Sequence, residues 1–345
     1  MGLSSVASST FGFIKRHRIK IAIAVGGATC LYVYYSLRQK YLTITRALEE
    51  ERESGANRLQ DGFTASLKHA HELLRKMLPE VREVVFKLAD SDSLVRELQT
   101  TPVWEHKKDL WERLKVVSFV RPIASVYAIC LLELVLVTKF NLVGRYMSSE
   151  KSMSELPSGF LTKQTQHKFV ELARVSLFGS CMEVLVRVIQ QAVVEVVGPM
   201  QLDSRLTCAD LVMAVINIRK KVESTSKAAL REILVESCFS PAANDGRDEE
   251  LENLTTLLQE EADILDNDDA ATVLGVILDR AFESFEKLLL ANVLDQVPIP
   301  KALPKISNLS ITVLGSDSPV VSAVEKEALV AQFGVVVYVS GAAGG

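Results

Sequence analysis

The sequence predicts an all-α protein, a large elongated helical bundle around a long central helix, preceded by an N-terminal transmembrane helix. Three observations predict it. Pro102 to Tyr146, PVWEHKKDLWERLKVVSFVRPIASVYAICLLELVLVTKFNLVGRY, is the longest apolar-rich stretch. Its second half, Ile123 to Val137, is apolar nearly all round, broken only by Ser125 and Glu133, and such a helix must be enclosed by other helices or by lipid. Ile21 to Leu37 is uncharged and mostly apolar, about 25 Å long as a helix, slightly short of a ~30 Å hydrocarbon core. Elsewhere apolar residues recur at helical spacing, as in the stripe Leu67, His71, Leu74 and Leu78.

Composition narrows the function classes. The chain has 345 residues and is 48% hydrophobic, enough for a sizeable core in one large domain or two smaller ones. A formal net charge of -4 carries no general nucleic-acid footprint. Cys30, Cys130, Cys181, Cys208 and Cys238 are odd in number and scattered, which suits reduced thiols in a cytosol-facing protein.

The chain divides into a basic targeting segment at 1–20 with Lys15, Arg16, Arg18 and Lys20, an anchor at 21–37, an all-helical cytosolic domain at 41–315 and a divergent tail at 316–345. A cleaved secretory signal is the closest rival for the anchor, but no clean A-x-A site follows it. Lysine and arginine flank the apolar run on both sides, so charge alone leaves its orientation open.

In order, Thr45 to Asp90 is charged and helical, weakened at Gly55, with Pro79 placed to begin a second helix. His69 and His71, two apart, point to different faces and make a poor metal pair. Ser91-Asp92-Ser93 and Thr100-Thr101-Pro102 bracket a short helix ending near Leu98. Pro122 should kink the next helix or restart it. Ile123 to Thr138 is long enough to suggest a second span, yet Glu133 would cost about 2.5–3.5 kcal/mol near a bilayer centre, so a core helix is preferred.

Lys163 to Val197 reads as a largely buried helix closed by Gly198-Pro199, with Gly179 allowing close packing in preference to a bend. Asp203–Val222 and Thr225–Cys238 read as amphipathic helices. Acidic Asp245 to Asp269 lacks the glycine of a calcium loop and reads as a solvated helix face with caps. Ala271 to Leu294 is an amphipathic helix, and Pro298, Pro300 and Pro304 predict an extended linker after it. Val324 to Ala331 suits one more helix, whereas GVVVYVSGAAGG looks β-like and then glycine-rich, foreign to a helical body.

No nucleophile elbow, phosphate loop, dinucleotide fingerprint, H-E-x-x-H or C-x-x-C is present, so neither catalysis nor a cofactor is expected. The candidate working surface is the start of the central helix. There Trp104 and Trp111 share a face, with Lys107, Lys108 and Lys115 beside them. Leucine under a tryptophan with cations at the rim is what a helix-in-groove site needs; the plain alternative is that Trp111 packs the core.

The order F-I-K-R-H-R at Phe13–Arg18, an apolar anchor, M-L-P-E-V-R-E at Met77–Glu83, L-W-E-R-L-K-V-V-S-F-V-R at Leu110–Arg121, then V-Y-A-I-C-L-L and N-L-V-G-R-Y ending at Tyr146 resembles the peroxin-3 family. The likeness is specific over roughly residues 11–146, looser to Leu294 and absent after about Val320, where the family's final amphipathic helix is expected. It implies a single-pass anchor in the peroxisomal membrane, reached directly or by way of the endoplasmic reticulum, with the bulk of the chain in the cytosol. It also implies a docking receptor for peroxin-19, the soluble chaperone and import receptor, through a groove that takes an amphipathic helix of the partner. Cargo membrane proteins would then be met indirectly, peroxisomal lipids through the basic cluster, and nucleic acid not at all. The resemblance places Trp111 first in the groove, with Leu114, Lys107, Leu98 and Met147. The alternative is a membrane-anchored enzyme or a two-span membrane protein.

Overall fold

A computed structural model describes residues 34–43, 45, 56–148, 161–225, 227–236, 249–293 and 296–339. The residues expected to serve targeting, Lys15, Arg16, Arg18 and Lys20, and the expected anchor up to residue 33 lie outside these. Residues 34–43 are helical; Leu37 is buried, and Lys40 Nζ reaches Asp269 Oδ2 at 2.9 Å.

The axis of the molecule is α3 (Trp104–Ser148), 45 residues and about 67 Å long at 1.5 Å per residue. Before it come α1 (Ala56–Leu88) and α2 (Ser91–Thr100). After it come α4 (Lys163–Ser176), α5 (Met182–Val197), α6 (Cys208–Thr225), α7 (Lys227–Glu236), α8 (Glu249–Leu265), α9 (Asp268–Asn292), α10 (Ile299–Val313), α11 (Pro319–Glu325) and α12 (Ala328–Val339). α1, α2, α4, α5 and α8 to α12 all pack on α3. From Ile123 to Val137 no residue is more than 4% exposed. The most apolar window of α3 is 94% buried inside the protein, so this helix is enclosed by its own chain, against the two-span alternative. A two-stranded antiparallel bridge, β1 (Arg205–Leu206) with β2 (Val297–Pro298), ties the α5–α6 connection to the start of α10.

Several expectations are corrected. Pro79 and Pro122 lie inside continuous helices. A proline forfeits one i→i−4 bond, and burial on both sides of Pro122 outweighs that loss. Gly179 does not permit close packing, since nothing lies within 4 Å of where its Cβ would be. It is the bend: its ψ of -126° interrupts the π turn Leu177–Cys181 between α4 and α5. The expected linker after Val293 is instead α10. Pro300 falls in its first turn, where the N–H has no helical partner, and Ile299, Ala302, Leu303, Ile306, Leu309 and Val313 form a fully buried stripe.

The tail also belongs to the body. α12 buries Leu329, Val330, Phe333, Val337 and Tyr338. It approaches α3 so closely that a Cβ on Gly144 would lie 2.5 Å from Ser66 Oγ and from Tyr338 Cε2, and one on Gly334 would lie 2.9 Å from Asn141 Nδ2. The valines that resemble a strand fill a helix face because packing overrides a propensity of a few tenths of a kcal/mol per residue.

The acidic stretch is only partly solvated. Asn267 caps α9, accepting from the Asp269 N–H. Glu261, however, is fully buried and accepts from Lys139 Nζ at 2.6 Å; that ammonium also sits 4.0 Å from the Phe169 ring centre. Glu260 takes Arg145 and the Tyr146 hydroxyl.

Candidate functional site

The corner between α2 and α3 is built by local chemistry. Asp90 caps α2, accepting from the Ser93 N–H at 2.9 Å and the Ser93 hydroxyl at 2.5 Å. These bonds, the hydroxyl's first, hold its carboxyl below the ordinary carboxylate range. Thr101 stops α2, its N–H bonding Glu97 O, and Pro102 keeps the chain extended into α3.

Trp104, Lys107, Lys108 and Trp111 follow at i, i+3, i+4 and i+7 on one face. Trp104 is 73% exposed, Lys107 half-buried, Lys108 exposed and Trp111 half-buried against the core. Val95 and Val103 add exposed apolar surface at this corner. Leu114 and Leu98 are core residues, 3% and 9% exposed. Met147 is exposed but lies 36 residues beyond Trp111 on the same helix, about 54 Å away along its axis. The structure therefore brings Lys107, Trp111 and Leu114 together, with Leu98 on the neighbouring helix, and leaves Met147 at the other end.

Lys115 is not part of the surface. It is fully buried, donating to Gly198 O at 3.1 Å and Met200 O at 2.6 Å, with Glu112 Oε2 at 2.6 Å. The ammonium thus satisfies carbonyls at the C-terminal end of α5, where the helix dipole favours a cation, and fixes α5 to α3.

Sequence reasoning missed a cleft of about 610 Å³ between the end of α1, α2, α3 and α5. Leu94, Val116, Val117 and Val194 are among its apolar lining; Lys87, Glu97, Glu112 and Arg113 are among its charged lining. At 100° per residue its α3 wall lies roughly opposite the Trp111 face. The pair Val116-Val117 directly after LWERLK was the available signal. Among the described residues no group of acidic, histidine and cysteine side chains could hold a metal.

The Peroxin-3 family model matches residues 179–338, just under half of the chain and the part where the motifs above are weakest. The peroxisomal biogenesis factor 3 of Rattus norvegicus is 28% identical over 290 residues, 79% of this chain and 76% of that protein. This chain is similar to the peroxin-3 family over most of its length. Homo sapiens peroxisomal biogenesis factor 3 is 27% identical over 290 residues. Peroxisome biogenesis protein 3-2 of Arabidopsis thaliana is 24% identical over 329 residues, 86% of this chain and 88% of its own length. The family match reaches residue 338, correcting the expectation that the likeness ends near Val320: all of α12 but its last residue lies within the matched segment.

Proposed function

We propose that this chain is a peroxin-3 and acts in peroxisome biogenesis as a membrane-anchored docking receptor for peroxin-19, taking an amphipathic helix of that partner at the α2–α3 corner. The observation that carries the reading is the outward-graded stripe Trp104, Lys107, Lys108 and Trp111, an aromatic and cationic face at the exposed end of an otherwise enclosed helix. Aromatic anchors beside cations suit an acidic amphipathic helix.

Placement supports it too. Lys40, just after the anchor, pairs with Asp269, eight residues past the Glu261 that holds Lys139. Lys139 lies 28 residues from Trp111 along α3, about 42 Å, so the docking end points away from the membrane and toward cytosolic partners. In this arrangement the protein binds and releases cargo complexes without chemistry of its own.

The test is a titration of the full chain in detergent with a peptide of the N-terminal peroxin-19 helix, followed by tryptophan fluorescence. Trp111→Ala is expected to weaken binding by about 2 kcal/mol or more with unchanged helical circular dichroism. Wild-type affinity in that variant would remove the assignment.

A further inference from the structure

Glu133 stands in the most enclosed part of α3, with 0% exposure. It has neighbours such as Leu132 and Leu134 on its own helix and, among the described residues, no hydrogen-bond donor to either of its oxygens apart from His71. The polar group facing it is His71 of α1, whose Nε2 lies 3.0 Å from Glu133 Oε1. The imidazole keeps a 22% exposed edge, so it exchanges protons with solvent while the carboxylate does not meet water. A carboxyl group is sealed in the axis, and the group facing it is the one ordinary side chain that switches near neutral pH.

We propose that the His71–Glu133 contact is a pH-operated latch between α1 and the central helix, tight while the imidazole is protonated and loosened when it loses its proton.

The surrounding groups fit. From α11, Glu325 adds negative charge near the imidazole, although Arg75, one turn along α1, engages it through Nε at 2.7 Å and Nη2 at 2.6 Å. From α3, Cys130 lies one turn before Glu133; burial holds its thiol neutral across this range. Glu72 and Lys68 pair with each other on the exposed side of α1. Burial of His71 disfavours its charged form, but Glu133 outweighs that, with Glu325 adding and Arg75 opposing, and the imidazole is raised above 6.5.

The sign follows. A group bound more tightly in its protonated form stabilises the fold fully below its unfolded pKa, and that contribution disappears as pH rises through the raised folded value. The attachment of α1 is therefore firmest in mildly acidic solution and weakens toward alkaline pH, the reverse of an ordinary carboxylate pair.

The experiment uses the full chain in detergent. Histidine C2 hydrogen–deuterium exchange read by mass spectrometry gives the His71 titration directly, and thermal unfolding over about pH 6 to 8.5 gives its effect on stability. The expected result is a His71 midpoint above 6.5 with stability falling through it. Both effects should be lost in Glu133→Gln. His71→Lys, charged across the whole range, should flatten the pH dependence while keeping the latch tight, and it serves if Glu133→Gln fails to fold. A wild-type His71 midpoint at or below 6.5, or a pH dependence that survives in both variants, overturns the proposal.

Discussion

The two ends of α3 carry similar residues to opposite fates. At its start, Lys107 and Lys108 face outward beside Trp104 and Trp111. At its far end, Lys139, Asn141 and Arg145 are buried, and α8 supplies Glu261 to the first and Glu260 to the last. The difference is one of partners. Among the described residues Lys107 and Lys108 have no carboxylate in ion-pair range and stay toward the surface, whereas Lys139 and Arg145 become interior joints because α8 brings them one. A buried pair is no net gain over an apolar one, but removing one member is costly, so the far end is rigid by mutual dependence and the near end is left available.

The strongest way to break this contrast is Glu261→Ala, which takes the carboxylate from Lys139. It is expected to destabilise the fold by about 3–5 kcal/mol in chemical denaturation. An effect below 1 kcal/mol, on the order of an exposed pair, would mean the ammonium finds water. Gly144→Ala comes next: the methyl would meet Ser66 and Tyr338, and overpacking of this kind costs about 1–3 kcal/mol. Lifting of α12 should be visible as faster amide exchange in residues 328–339. Trp104→Ala removes a mostly solvated side chain and should leave the melting temperature within the range of about 0.5 kcal/mol usual for surface changes, while reducing peroxin-19 peptide affinity less than Trp111→Ala does. Met147→Ser should change neither stability nor binding, because it stands about 54 Å from Trp111; lost peptide binding there would call for a second contact along the body.

How much of this was legible depends on where each residue's partner lies. The enclosure of Ile123–Val137 is written in its own composition, and the Trp104–Trp111 stripe in its spacing. α10 was missed because Pro300 and Pro304 signal a break in sequence, yet the first turn of a helix has no bond for Pro300 to lose. Its buried stripe from Ile299 to Val313 was there to be counted. Lys115 could not be assigned from its neighbours, since the carbonyls it serves are 83 and 85 residues away. For the same reason Glu261 looked like one more solvated acid until Lys139, 122 residues earlier, was placed beside it.

The order of the chain also sets the order in which the axis is covered. α1 and α2 precede α3, but α10 and α12 follow its apolar half by roughly 160 residues and more, which at ~5–20 residues per second of synthesis is roughly 8–30 s. Throughout that interval a helix long and apolar enough to cross a membrane stands partly uncovered outside the ribosome. Newborn chains of this protein therefore pass through a stage in which the future core is open to any factor that recognises hydrophobic helices, and the arrival of the last helix closes it.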